Sequence, residues 1–136
     1  MPRTTVRNII TSDEKTAKIN PDNIKLMEEF LKYKAIKVSE KTLIVYKSNL
    51  IIFFTWNLDY NNNKLFVDIK KLEFLNFFSF AVEELELGSS RINNLRSTLS
   101  SFSNFIEKFY DEIYPDFKNV ILLVIDCAPK ETRREK

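Results

Sequence analysis

The sequence predicts an all-α fold of four or five packed helices, and three observations carry that expectation. A single glycine and four prolines among 136 residues leave too little turn chemistry for a hairpin-rich β fold. Apolar residues recur three and four positions apart through four long stretches, the spacing of one helix face. Apolar side chains make up 44% of the chain, enough for one core, and the length argues against two. Residues 20–126 accordingly read as one helical domain, with a flexible basic arm (1–19) before it and a linker-like charged tail (127–136) after it.

The arm is polar, contains Arg3, Arg7, Lys15 and Lys18, and shows no sustained apolar period, so no packed element is expected there. The first helix opens at Asn20 and Pro21, an N-cap followed by the residue best shaped for a first turn. Its face is Ile24, Met27, Phe30 and Leu31, and it ends near Lys34 or Ala35. A second helix opens at the Ser39 cap and repeats Leu43, Tyr46, Leu50, Phe53 and Phe54. Ile44, Ile51, Ile52 and Trp56 widen that stripe until the second half is apolar nearly all round, which belongs in the middle of a bundle. Lys41, Lys47, Ser48 and Asn49 are expected to keep part of the first half wet. Residues 57–64, with three consecutive asparagines, read as a loop.

Asp68 is the expected cap of a third helix with Ile69, Leu72, Leu75, Phe78, Val82 and Leu85 on its face, and Gly88 supplies its stop. Ser89 and Ser90 then cap a fourth, with apolar positions at Ile92, Leu95, Leu99, Phe102, Ile106 and Phe109 and an end marked by Pro115. Residues 117–125 make a short fifth helix.

Composition narrows the chemistry. With no histidine and one cysteine, Cys127, neither an intrachain disulfide nor a zinc site of the usual Cys/His kind can be assembled, and there is no glycine-rich phosphate loop. No cofactor and no metal are expected, and paired acids such as Glu83 and Glu84 read as solvated charges. The apolar runs at 50–54 and 120–125 fall far short of the roughly 20 residues of a membrane span. Residues 1–20 lack the hydrophobic stretch of a signal peptide, so a soluble, cytoplasmic protein without membrane contact is expected.

A net charge of +2 says little by itself, but its distribution is uneven. Residues 32–50 hold five lysines against one glutamate, and residues 51–88 hold six acids against three bases. Residues 89–104 contain Arg91 and Arg96 and no acid, whereas residues 105–126 are again acidic. The starts of the second and fourth helices are therefore basic, as a nucleic-acid face requires. Opposite the apolar stripe of the fourth helix lie Asn93, Ser97, Ser100 and Asn104, flanked by Arg96 and Ser101. Small hydrogen-bonding side chains beside arginines suit a helix lying against DNA, and the helix start at Ser89 and Ser90 can receive a phosphate. The plainer reading of this row is a solvated helix face. Ser and Asn are poor helix formers, though, and a surface kept only for solubility would favour Glu, Lys and Gln. Lys37, Lys41 and Lys47 are candidates on the same grounds, against the general use of lysine for solubility. Tyr46 and Trp56 read as core.

Three runs, in this order and spacing, carry a resemblance: Thr42-Leu43-Ile44-Val45-Tyr46 behind Ser39, Phe53-Phe54-Thr55-Trp56-Asn57, and Arg91-Ile92-Asn93-Asn94-Leu95-Arg96-Ser97-Thr98-Leu99-Ser100-Ser101. Over about residues 20–136 the chain resembles the core-binding domain of tyrosine recombinases, in particular phage-type integrases of Gram-positive bacteria. The resemblance implies a SAM-like orthogonal bundle of four or five helices, one half of a C-shaped clamp on the core recombination site. Its second and fourth helices would meet double-stranded DNA, through Lys41, Thr42 and Lys47 and through Ser90, Arg91, Asn94, Arg96 and Ser97. Helix geometry favours Asn93 on the polar face, where the family pattern favours Asn94.

The resemblance further implies a part in DNA integration and recombination inside a bacterial host cell, encoded by a prophage or mobile element. Other integrase subunits would be neighbours on the DNA, and the isolated domain would be monomeric. It also implies a non-catalytic role: the phosphate-holding arginines and the nucleophilic tyrosine belong to a catalytic domain, toward which residues 131–136 would form the linker. From a different class, a helical protein-interaction module, docking through its aromatics and residues 120–125, also fits the composition.

Overall fold

A computed structural model describes residues 12–124, and all of their regular structure is helical. The expectations for the first eleven residues and for the tail, Cys127 included, lie outside the described residues. In chain order the helices are α1 (Asp13–Thr16), α2 (Pro21–Ala35), α3 (Glu40–Tyr60), α4 (Lys71–Glu83), α5 (Ser89–Phe109) and α6 (Ile121–Val124), with a 3-10 turn at Phe66–Asp68. Helix α3 is central, packed by α1, α2 and α5, while α5 also touches α2, α4 and α6, and α4 rests on α6. The fold is an all-α bundle.

The first two long helices start where their caps say they should. Asn20 Oδ1 accepts the Asp22 N–H at 3.0 Å with Pro21 following, and Ser39 Oγ accepts the Thr42 N–H at 3.3 Å. Each cap satisfies a backbone donor that the helix itself leaves without a partner.

Packing begins earlier in the chain than the arm reading allows. Ser12 caps α1, Lys15 pairs with Asp59 at 2.6 Å, and Ile19 is buried in the core. One turn of helix with one apolar anchor is too short to leave a periodic signature. At the other end of α3 the expected loop is also shorter, because the helix continues to Tyr60. Asn57 makes this possible by burying its amide, donating to the Lys64 carbonyl at 2.8 Å and accepting from Asn61 Nδ2 at 3.1 Å. Asn62 and Asn63 then take φ values of 62° and 52°, the left-handed region that asparagine tolerates better than most residues. Asn63 ties this turn back to the α1–α2 junction, accepting the Asn20 N–H at 2.9 Å and donating to the Lys18 carbonyl at 3.1 Å.

Helix α4 shows the largest departure. Its buried residues are Phe74, Phe77, Phe78 and Ala81, whereas Leu72, Leu75 and Val82 of the expected stripe are 66%, 48% and 51% exposed. Both sets have helical spacing, so periodicity could not choose between them; the larger aromatic surface goes inside. The helix also opens later than expected: Asp68 ends the 3-10 turn, and Glu73 reaches back to accept the Lys70 N–H at 2.9 Å. Gly88 is not a stop, since its φ of −77° is open to any residue; the chain reverses at Glu86, with φ 56°, and Gly88 becomes the N-cap of α5. Helix α5 ends at Phe109 and not at Pro115, and Phe109 itself is half-exposed, as Ile44 of α3 is also exposed.

The core is dominated by phenylalanine, and Phe66 is its meeting point. Its ring lies 5.8 Å from Phe53, 5.6 Å from Phe74, 4.7 Å from Phe102 and 6.1 Å from Phe117, so one residue in a connecting turn touches α3, α4, α5 and the segment after α5. Asn23 of α2, fully buried, fixes it there by accepting the Phe66 N–H at 2.7 Å and donating to the Lys64 carbonyl at 2.8 Å.

Two outcomes follow. In urea titrations Phe66→Ala should lower the unfolding free energy by about 3–5 kcal/mol, and Leu75→Ala by less than about 1 kcal/mol; comparable losses would refute the observed α4 register. The Glu73 carboxyl, although raised by partial burial, is held below its ordinary value by the hydrogen bond and charge of Lys64 and by the Lys70 N–H. A carboxyl lowered on folding adds stability above its unfolded pKa, lost as pH falls through the lower folded value. Glu73→Gln should therefore flatten the acid limb of a stability–pH curve below about pH 4.5; an unchanged limb contradicts this.

Candidate nucleic-acid interface

The starts of α3 and α5 lie side by side. Between them is a cleft of about 380 Å³ lined by Lys41, Thr42, Val45 and Tyr46 of α3 and by Asn94, Ser97 and Thr98 of α5. None of these residues is acidic. The Ser39 cap orients one wall, because Ser39 Oγ lies 3.1 Å from Thr42 Oγ1 as well as accepting the Thr42 N–H.

Asn49 holds the two helices in this relation. Its side chain is fully buried, donating to Thr98 Oγ1 at 2.9 Å and to the Asn94 carbonyl at 3.4 Å, while its Oδ1 accepts from Arg91 Nε at 3.1 Å. The expectation that Asn49 stays wet is thus overturned. Its position was readable, since it lies three residues after Tyr46 and four before Phe53, inside the apolar stripe. Tyr46, Val45 and Thr98 were also missed as cleft residues, because each fits a packing role equally well.

The candidate residues divide on this geometry. Lys41, Thr42, Asn94 and Ser97 line the cleft, and Arg91 leans on Asn49. Asn94 lines the cleft, and Asn93 is not among its lining residues. Ser90 is exposed and stands one turn before Asn94 on the same stripe of α5. Lys47 is exposed but lies about 120° round the helix from Lys41, and it does not line the cleft. Arg96 is likewise about 160° round from Asn94 and belongs to another face. Ser89, about 140° round from Asn94, does not line the cleft. Ser100 and Asn104 are engaged within the fold, both accepting from Asn119 Nδ2, with Ser100 Oγ at 3.0 Å and Asn104 Oδ1 at 2.9 Å. Lys37 sits at the α2–α3 turn, donating to Tyr33 Oη at 3.1 Å.

The first turn of α5 has no side-chain cap, because Gly88 stands where an acceptor would be and Ser89 and Ser90 are already helical. Its backbone donors, at exposed residues beside the cleft, are disposed to meet an anion. Among the described residues no group of three or more acids or cysteines could hold a metal, and no helix is long and apolar enough to cross a membrane.

Compared with protein-family models, with curated proteins and with solved structures, the chain finds no significant match.

Asn49→Ala should cost about 1–3 kcal/mol in urea unfolding, since it removes the buried amide that bonds Thr98 Oγ1 and Arg91 Nε across the two helices, while Asn94→Ala, whose side chain is exposed, should stay within about 0.5 kcal/mol. Equal and small losses would mean that Asn49 does not cross-link α3 and α5.

Proposed function

We propose that this chain is a non-catalytic module that binds duplex DNA, acting as the core-binding domain of a phage-type tyrosine recombinase acts: it grips the recombination site while cleavage belongs to a separate catalytic domain. The observation that supports this reading most is the acid-free cleft between the starts of α3 and α5, where Lys41, Thr42, Asn94 and Ser97 converge from two helices. Lysine and the uncapped α5 start meet phosphates, which fix position; Asn94, Ser97 and Thr42 have the small hydrogen-bonding ends that read base edges. Val45 and Tyr46 give the cleft an apolar wall.

A second reading has its own observation. Leu72, Leu75 and Val82 form an exposed apolar stripe along α4, and Leu122 and Leu123 are exposed on α6, which packs against α4. Such a surface serves subunit or partner docking. The two readings differ in solution: a duplex binder of the first kind is monomeric by light scattering without DNA, and an obligate docking module is not.

Fluorescence anisotropy with a labelled duplex tests the first reading. With roughly four phosphates contacted, log K should fall against log salt with a slope near −4. Lys41→Gln should weaken binding several-fold and reduce that slope by about one, whereas Lys47→Gln, which removes the same charge outside the cleft, should leave the slope unchanged. Absence of binding at low salt, or equal effects of the two substitutions, would reject the assignment.

A further inference from the structure

The ends of α2 and α5 bring three ammonium groups onto one phenol. Lys37 Nζ donates to Tyr33 Oη and lies 5.1 Å from the ring centroid, Lys34 Nζ lies 5.8 Å from it, and Lys108 Nζ 5.6 Å. Among the described residues none of the three pairs with a carboxylate, whereas Lys15 and Lys64 are matched by Asp59 and Glu73. Glu29 and Lys32, one charge of each sign, line the adjoining hollow of about 330 Å³ and leave the excess in place. Aromatic faces attract cations but cannot cancel their net charge, so three ammonium groups on one ring leave a positive corner that an outside anion can meet.

This corner is continuous with the cleft. Lys34 Nζ is also 5.9 Å from the ring centroid of Tyr46, and Tyr46 is a wall of the cleft. Lys34 thus stands between the two rings, with Tyr33 on one side and Tyr46 on the other.

We propose that Lys34, Lys37 and Lys108, gathered round Tyr33, hold backbone phosphates of the same duplex that enters the α3–α5 cleft, so that bound DNA runs from the cleft across Tyr46 to the far ends of α2 and α5. The proposal rests on the duplex-binding reading and extends it to Lys34, Lys108 and Tyr33, none of which is among the candidate contacts named from the sequence. The Tyr33 phenol already registers the local field: the Lys37 hydrogen bond, with the Lys108 and Lys37 charges, outweighs burial and holds it below its ordinary value. A competing account needs no ligand, since Lys34 and Lys108 lie in the last turns of α2 and α5, where cations stabilise the helix dipole.

The test combines Lys34→Gln, Lys37→Gln and Lys108→Gln in the full chain and measures duplex affinity by anisotropy between about 50 and 200 mM salt, beside a Lys→Arg triple variant that keeps the charge. At roughly 0.9 per phosphate, the slope of log K on log salt should shrink by two to three units in the glutamine variant and be retained in the arginine one. The Tyr33 ring resonances should also shift when duplex is added to the wild-type protein. A glutamine variant that loses thermal stability but keeps the wild-type slope assigns these lysines to the helix ends, overturning the proposal while the cleft reading stands. A wild-type protein that does not bind duplex overturns both.

Discussion

The buried amide of Asn49 is the contact on which the geometry of the cleft depends. An amide enclosed in a helical core must satisfy both its ends, and each end here reaches across to the neighbouring helix: Thr98 Oγ1 and the Asn94 carbonyl on one side, Arg91 Nε on the other. Apolar side chains would hold α3 and α5 together through a range of small slides and rotations. Directed hydrogen bonds permit far fewer, and so fix which residues of the two helices face each other. Arg91 is held in the same arrangement through its Nε.

The remainder of the bundle shows the same division between bulk and direction. Phenylalanine rings provide the area removed from water, meeting at Phe66, while Asn23, Asn57 and Asn63 decide how the chain passes between helices. Their carbonyl and amide groups answer backbone donors and acceptors at the α1–α2 junction and in the turn after α3, where no helix can do so. A sequence with one glycine can build such turns because asparagine tolerates the left-handed backbone at positions 62 and 63 and bonds locally as well.

Helices and their starts were legible where a single physical signal stood alone. Asn20-Pro21 and Ser39 announced α2 and α3, and the apolar rhythm from Ile92 to Ile106 matched the buried face of α5. The α4 face was misread because aliphatic and aromatic residues offered two competing stripes, and what decides between them is the shape of the surrounding core, which no local window contains. Gly88 misled for a related reason: glycine marks a break, but only the backbone angles tell whether it closes one helix or opens the next. Charge segregation singled out the starts of α3 and α5, which the fold places on either side of one cleft, without resolving direction. Lys41 and Lys47 looked equivalent in composition and point to different sides of α3. Asn49 carried a readable signal, a polar residue in phase with an apolar stripe, that was assigned to solvent. Ser100 lost its expected exposure to Asn119, nineteen positions away, a contact that only the tertiary fold creates.

The molecule has one tryptophan, and its placement separates two kinds of event. Trp56 is 4% exposed, wedged against Phe53 and Phe77 at the junction of α3 with α4. It stands fourteen residues along α3 from Thr42, about 21 Å down the helix axis. Its indole emission therefore tracks the integrity of the aromatic interior and is blind to what occupies the far end of the same helix. Tyr33 and Tyr46 stand instead where Lys34 and Lys37 gather, so the chain carries an internal optical gauge of folding set apart from that lysine-bearing corner.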